Sequence, residues 1–232
     1  MIIDPCFYDS LCSVQESAVD ANLTVSQWAE QYRYIKKPNF NVFTLFSFDD
    51  SPYLREICDH TSPLSPCKEL TLMKGTRIGA TLGVILNSQF YNISVNPCQM
   101  MYVSSNQKLL AKFKRLVFDP ELKASGLDVK IKTSVEKKNS KNKSNGDTAE
   151  MIEFGDAYLL FCGANNPQNF RQMSVQYLYK DEEASYKIDK HEGNISKLAD
   201  ARTYAFGDHA KRIGISSPIN TGDQFCKSFE GY

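Results

Sequence analysis

Hydrophobic and polar positions change rhythm along this chain. Val25, Trp28, Ala29, Tyr32 and Ile35 fall at helical spacing. Thr24-Val25-Ser26-Gln27 has the spacing of a capping box at the start of that helix. Residues 38 to 50 are aromatic and contain Pro38, which predicts an extended segment. Ser51-Pro52 reads as an N-cap followed by a proline at N1, opening a helix through Asp59. Residues 1 to 22 show no period and are expected to form a loosely held arm.

The texture changes from Lys68. Short apolar runs at Leu70–Met73, Met100–Val103, Val129–Thr133, Met151–Phe154, Tyr158–Cys162, Val175–Tyr179 and Arg212–Ile215 predict strands. The third and fourth are separated by the polar, lysine-rich residues 134 to 148, expected to be a flexible loop. Gly155-Asp156 suits a hairpin between the fourth and fifth. Thr81–Tyr91 and Lys108–Phe118 predict helices, the second with basic residues on one face. Strands alternating with helices point to an α/β fold, with a mostly parallel sheet and helices on both faces.

At 232 residues and 42% hydrophobic content, the chain can bury one sizeable core. Net charge is zero, so no global field marks a nucleic-acid binder. Locally, residues 105 to 145 hold eleven lysines and arginines against four acids. Such a face can follow duplex phosphates without reading bases. A solvated helix plus a lysine loop has the same composition. Lys137, Lys138, Lys141 and Lys143 are its testable members. The seven cysteines form no CxxC pair, and their number is odd. They fit neither a zinc site nor a disulfide framework, and are read as reduced thiols of a cytosolic protein. No apolar run approaches a membrane span. Met1–Ser10 carries acids and no basic region, unlike a signal peptide.

Three stretches carry chemistry. The run Lys74-Gly75-Thr76-Arg77-Ile78-Gly79-Ala80-Thr81 lies between a strand and a helix, where a helix N-terminus meets phosphate. Against GxxxxGK[ST], Ala80 stands where the lysine belongs and Lys74 where the first glycine belongs. The physical requirements survive. Gly75 and Gly79 permit a backbone anion cradle, Thr81 offers a hydroxyl to Mg²⁺, and Lys74 and Arg77 offer cations. An ordinary strand-turn-helix with two glycines would look the same. Next, Val175–Tyr179 runs into Lys180-Asp181-Glu182-Glu183. An acid at a strand tip holds Mg²⁺ and the following carboxylate acts as general base in P-loop motors. Lys180 departs from that pattern, because an apolar residue usually precedes the acid; it either points outward or pairs with an acid. Finally, Ile213-Gly214-Ile215-Ser216-Ser217-Pro218 is a strand ending in hydroxyls, suited to sensing the γ-phosphate beside the acidic strand.

The order of these stretches resembles the large terminase subunit of lambda-type tailed phages. Leu23–Tyr34, Phe161–Pro167 and Ala201–Gly207 resemble further segments of that family. The likeness spans residues 23 to 232. It implies a P-loop fold of the ASCE, RecA-like kind, with residues 1–60 as an arm and helices packed on a 61–232 ATPase core. It implies ATP and Mg²⁺, with Lys74 as the displaced phosphate-loop lysine and Arg77 reaching the γ-phosphate. Gly75, Thr76, Ile78, Gly79 and Ala80 complete the nucleotide loop, and Thr81 and Asp181 hold the metal. Glu182 becomes the catalytic carboxylate, and Ser216 and Ser217 the coupling motif. Tyr53 is a candidate for stacking on adenine, and Arg202 for an arginine acting across a subunit boundary.

The implied partners are double-stranded DNA, a portal protein, a small terminase subunit and further copies in a ring, in the host cell cytoplasm and away from membranes. The family's nuclease domain would follow the motor, so an excised domain is expected here, with cleavage belonging to a parent protein. The competing expectation is a P-loop module that binds nucleotide without hydrolysing it, favoured by Ala80 and Lys180. A paired-domain helicase would need a second motor domain.

Overall fold

The computed structural model describes residues 22–37, 42–132, 150–170, 173–186, 193–219 and 224–230. The expected arm, the lysine loop with Lys137, Lys138, Lys141 and Lys143, and Cys6 and Cys12 lie outside the described residues.

Helix α1 (Val25–Tyr32) leads into a small hairpin, β1 (Tyr34–Lys36) and β2 (Phe43–Leu45), followed by α2 (Tyr53–Asp59). The main sheet contains β3 (Glu69–Met73), β4 (Met100–Ser104), β5 (Met151–Phe154), β6 (Ala157–Gly163), β7 (Tyr177–Asp181) and β8 (Lys211–Ser216). Its spatial order is β3-β8-β7-β4-β6-β5, parallel except for β5, which pairs antiparallel with β6. The expected mostly parallel sheet is present. The last strand in sequence, β8, is inserted between β3 and β7. It therefore joins the strand that feeds the phosphate loop to the strand that carries the acids.

Strand alternation divides the core into two layers. Met100, Tyr102, Leu159, Phe161, Tyr177, Tyr179, Ile213 and Ile215 face one layer, together with Trp28, Leu54, Val84, Phe90 and Phe118. Met101, Val103, Cys162 and Leu178 face the other, against Ile195 and Ala199 of α6 (Ile195–Asp200). Helices thus cover both faces. Buried runs such as β4 and β7 are continuous because both sides are covered.

The capping box forms as its spacing predicts: Thr24 accepts from the Gln27 amide and Gln27 accepts from the Thr24 amide. Other boundaries move. No side chain caps α2, which starts at Tyr53, after Pro52. The helix after the loop, α3, is π-helical over Thr81–Leu86 and α-helical over Asn87–Ser94. Helix α4 (Gln107–Phe113) continues as a π-helical turn, Lys114–Phe118, into α5 (Asp119–Ala124). Val129–Thr133 is not a strand among the described residues. Asp128–Lys130 is a 3-10 turn, and Ile131 makes one bridge to Phe154 at the sheet edge.

The acidic strand starts two residues later than expected. Val175 and Gln176 give their amides to Arg202 and Gln99 carbonyls, and the ladder begins at Tyr177. Among the described residues Cys58, Cys67, Cys98 and Cys162 are free thiols, and every described cysteine but Cys67 is buried.

Candidate nucleotide site

The phosphate loop leaves β3 at its tip. Lys74 N donates to the Ser216 carbonyl at 3.0 Å, extending the β3–β8 pairing by one residue. Beyond it, Arg77 (φ +61°) and Gly79 (φ +81°) adopt the left-handed region. For an arginine that conformation costs about 1–2 kcal/mol. Strain of this kind gathers where a backbone must present its amides to a ligand. Ala80 is buried in the core, so the position that normally holds the loop lysine points inward. Lys74, at the start of the loop, is the loop's buried cation. Its side chain is only 6% exposed, and its Nζ lies 2.7 Å from Glu182 Oε1.

The acids reach the loop from β7. Tyr177, Tyr179 and Asp181 share one face, while Leu178 and Lys180 share the other. Asp181 is buried and accepts from Thr81 Oγ1 at 3.1 and 3.3 Å and from the Tyr102 hydroxyl at 2.8 Å. Burial raises the Asp181 carboxyl above the usual range, and the donors Tyr102 and Thr81 act against that rise. Burial and the neighbouring Asp181 charge push the Tyr102 phenol well up, so it stays a donor. Alternation alone would send Glu182 to the opposite face from Asp181. Glu182 leaves the strand in the left-handed region (φ +54°), and this turn brings it to Lys74.

Ser216 ties the two motifs together. Its carbonyl accepts from Lys74 N, and its Oγ accepts from Ala184 N at 3.0 Å. Lys180 pairs with acids, one of the two expected alternatives. Its Nζ meets Glu183 at 3.2 Å, Asp200 at 3.0 Å and Ser196 Oγ at 2.9 Å, all on the α6 side of the sheet. Sequence reasoning missed Ser196, Asp200 and Tyr102. The available signal for Tyr102 was a phenol inside an apolar strand, whose hydroxyl must find a partner when buried.

Lys74, Thr81, Asp181, Glu182 and Ser216 are thus brought together, with Gly75, Thr76, Arg77, Ile78 and Gly79 in the intervening loop. The Arg77 side chain is exposed. Tyr53 is 53% exposed and its hydroxyl donates to the Ile78 carbonyl at 3.1 Å, so the phenol borders the loop. Ser217 follows Ser216 at the strand end and accepts at its carbonyl from Ser216 Oγ. Arg202 is not brought to the loop of its own chain. Its carbonyl takes the Val175 amide, six residues of extended chain or ~20 Å before Asp181.

No group of three or more His, Cys, Asp or Glu suited to a metal occurs among the described residues. One hydroxyl beside one carboxylate nevertheless fits Mg²⁺, which takes few protein ligands and completes its shell with phosphate and water. An open cavity of about 540 Å³ adjoins this pair; its polar lining is Lys36, Lys37, Thr81, Tyr102, Ser104, Glu121 and Asp181.

The fold has known counterparts. The large terminase of a thermophilic bacteriophage is 12% identical, with a TM-score of 0.54, covering 77% of this chain and 41% of that one. The ATPase domain of the Thermus phage P74-26 large terminase is 11% identical, with a TM-score of 0.47, covering 81% and 72%. This chain therefore spans about 41% of the length of the first of these proteins. No curated protein matches the sequence. The family described as "Phage terminase large subunit gpA, ATPase domain" matches residues 42–228, most of the chain. With a deviant phosphate loop facing a strand-tip acid pair across β8, the chain belongs to the family of phage terminase large subunit ATPase domains.

Proposed function

We propose that this chain binds ATP with Mg²⁺ on the loop from Lys74 to Thr81, hydrolyses it, and thereby drives double-stranded DNA into a procapsid. The carrying observation is the Lys74–Glu182 pair at 2.7 Å beside the Thr81–Asp181 pair at 3.1 Å. A cation from the loop and an acid from the strand tip, the two charges phosphoryl transfer needs, meet in this pair.

Arriving phosphates exchange with Glu182 for the Lys74 ammonium. The freed carboxylate then takes a proton from the attacking water. Arg77, on the exposed part of the loop, extends to the γ-phosphate. Thr81 and Asp181 would hold Mg²⁺, which would neutralise charge on the phosphate oxygens. Tyr53 stacks on adenine. Ser216, bonded to both Lys74 and the acidic turn, relays loss of the γ-phosphate, with Ser217 continuing the strand end.

In the working assembly, Arg202 acts on a neighbouring copy within a ring at the portal protein. A small terminase subunit delivers the DNA in the host cytoplasm, and any endonuclease belongs to the parent protein.

Phosphate release from ATP, with and without duplex DNA, tests this on wild type, Lys74→Ala and Glu182→Gln. Turnover lost in both variants, with ATP still bound by Glu182→Gln, is the expected result. Tight ATP binding by wild type without turnover, even with DNA, would favour a nucleotide-binding module instead. No ATP binding by wild type would end both readings.

A further inference from the structure

We propose that Tyr102 is the positioning residue for Asp181, fixing the carboxylate so that it and Thr81 face one divalent cation together. The inference rests on the nucleotide site proposed above. Tyr102 lies on β4, paired in parallel register with Tyr179 of β7. Residue 181 shares the face of 179, so the phenol and the carboxylate are diagonal neighbours in one layer. The Tyr102 hydroxyl donates to Asp181 Oδ2 at 2.8 Å, and the same carboxylate accepts from Thr81.

The donor is itself packed in place. Tyr102 is buried, and its ring packs on Phe113 and Phe161 at centroid distances of 5.8 and 6.3 Å. Among the described residues, no cation is paired with Asp181. Lys74 goes to Glu182, and Lys180 faces Glu183 and Asp200 across the sheet. This arrangement suits a metal-binding acid. A lysine or arginine at position 102 would also orient the carboxylate, but would cancel the charge a cation needs. A neutral hydroxyl orients it and leaves the charge in place.

Tyr102→Phe removes only the hydroxyl and keeps the ring. Binding of a fluorescent ATP analogue is measured across a Mg²⁺ titration for wild type, Tyr102→Phe and Asp181→Asn. Nucleotide affinity and melting temperature without Mg²⁺ are measured alongside. A hydrogen bond to a charged group is strong enough to move an equilibrium about tenfold or more. The expected result is a roughly tenfold higher Mg²⁺ requirement in Tyr102→Phe. Its Mg²⁺-free nucleotide affinity should stay close to wild type, while loss of a donor to a buried carboxylate lowers the melting temperature.

Tyr102→Phe matching wild type, while Asp181→Asn raises the requirement, would overturn the positioning role alone. A lower melting temperature with an unchanged Mg²⁺ requirement would reduce Tyr102 to a structural residue, and so also overturn it. No change in either variant would remove Asp181 as a metal ligand, taking the underlying site with it.

Discussion

Asp181 and Glu182 are neighbours in sequence with different surroundings. Asp181 is buried under two hydroxyl donors, whereas the Glu182 side chain is 47% exposed and ion-paired. The raised Asp181 carboxyl predicts a pH dependence. When the folded pKa exceeds the unfolded one, the favourable contribution is present at low pH and lost as pH rises through the folded value. Asp181→Asn should therefore melt above wild type at neutral pH without Mg²⁺, and the gap should close on acidification. A lower melting temperature for Asp181→Asn at neutral pH contradicts this. The thiols give a second prediction at this scale. Burial pushes Cys98 and Cys162 up to about 12 and raises Cys58 further. Among the described cysteines, Cys67 should be the one alkylated before unfolding, as mapped by mass spectrometry. The motif residues were legible because their order survives in sequence. The left-handed turn at Glu182 was not, since no glycine announces it.

At the scale of elements, a buried charged cluster holds the tip of β7. Lys180, Glu183, Ser196 and Asp200 connect the acidic strand to α6. Removing one partner strands the others without their counter-charge. Lys180→Met should therefore cost about 3–5 kcal/mol, read by denaturant unfolding. Gly214 lies under this cluster, and a Cβ there would come within 2.7 Å of Glu183 Oε2. Gly214→Ala should displace Glu183 and lower the melting temperature, whereas an unchanged value would show that the cluster yields without cost. The π-helical turn of α3 has a similar distant support. Fully buried Arg33 donates to the Leu82 carbonyl at 2.5 Å and pairs with Glu121, and Asn87 Nδ2 donates to the Gly83 carbonyl. Periodicity predicted a helix after the loop, since Leu82, Val84, Ile85 and Leu86 are apolar. It had no access to Arg33, 49 residues from Leu82, so the wider winding was invisible.

For the whole molecule, the alternation of strands and helices made the sheet legible, while its order was set by β8 inserting between β3 and β7. The basic stretch needs a similar correction. Lys114 is buried, paired with Asp119 at 2.9 Å and set over the Phe161 ring, so it does not belong to a DNA face. Lys108, Lys112 and Arg115 are exposed and fall at helical spacing on one side. If that side follows duplex phosphates, replacing all three with alanine should weaken DNA binding at every sequence. It should also reduce the slope of log affinity against log salt by up to about 2.7. Basal ATP turnover should be unaffected. An unchanged slope places the DNA elsewhere.

Lys74, from the start of the loop, is expected to do the work of a lysine at position 80. The direct test is calorimetric ATP binding in Mg²⁺ by wild type, Lys74→Ala and Lys74→Ala/Ala80→Lys. Wild type should bind, and Lys74→Ala should lose at least tenfold in affinity. The double variant should not be restored, because residue 80 faces the core. Recovery in the double variant, or full affinity in Lys74→Ala, would rule out this role for Lys74.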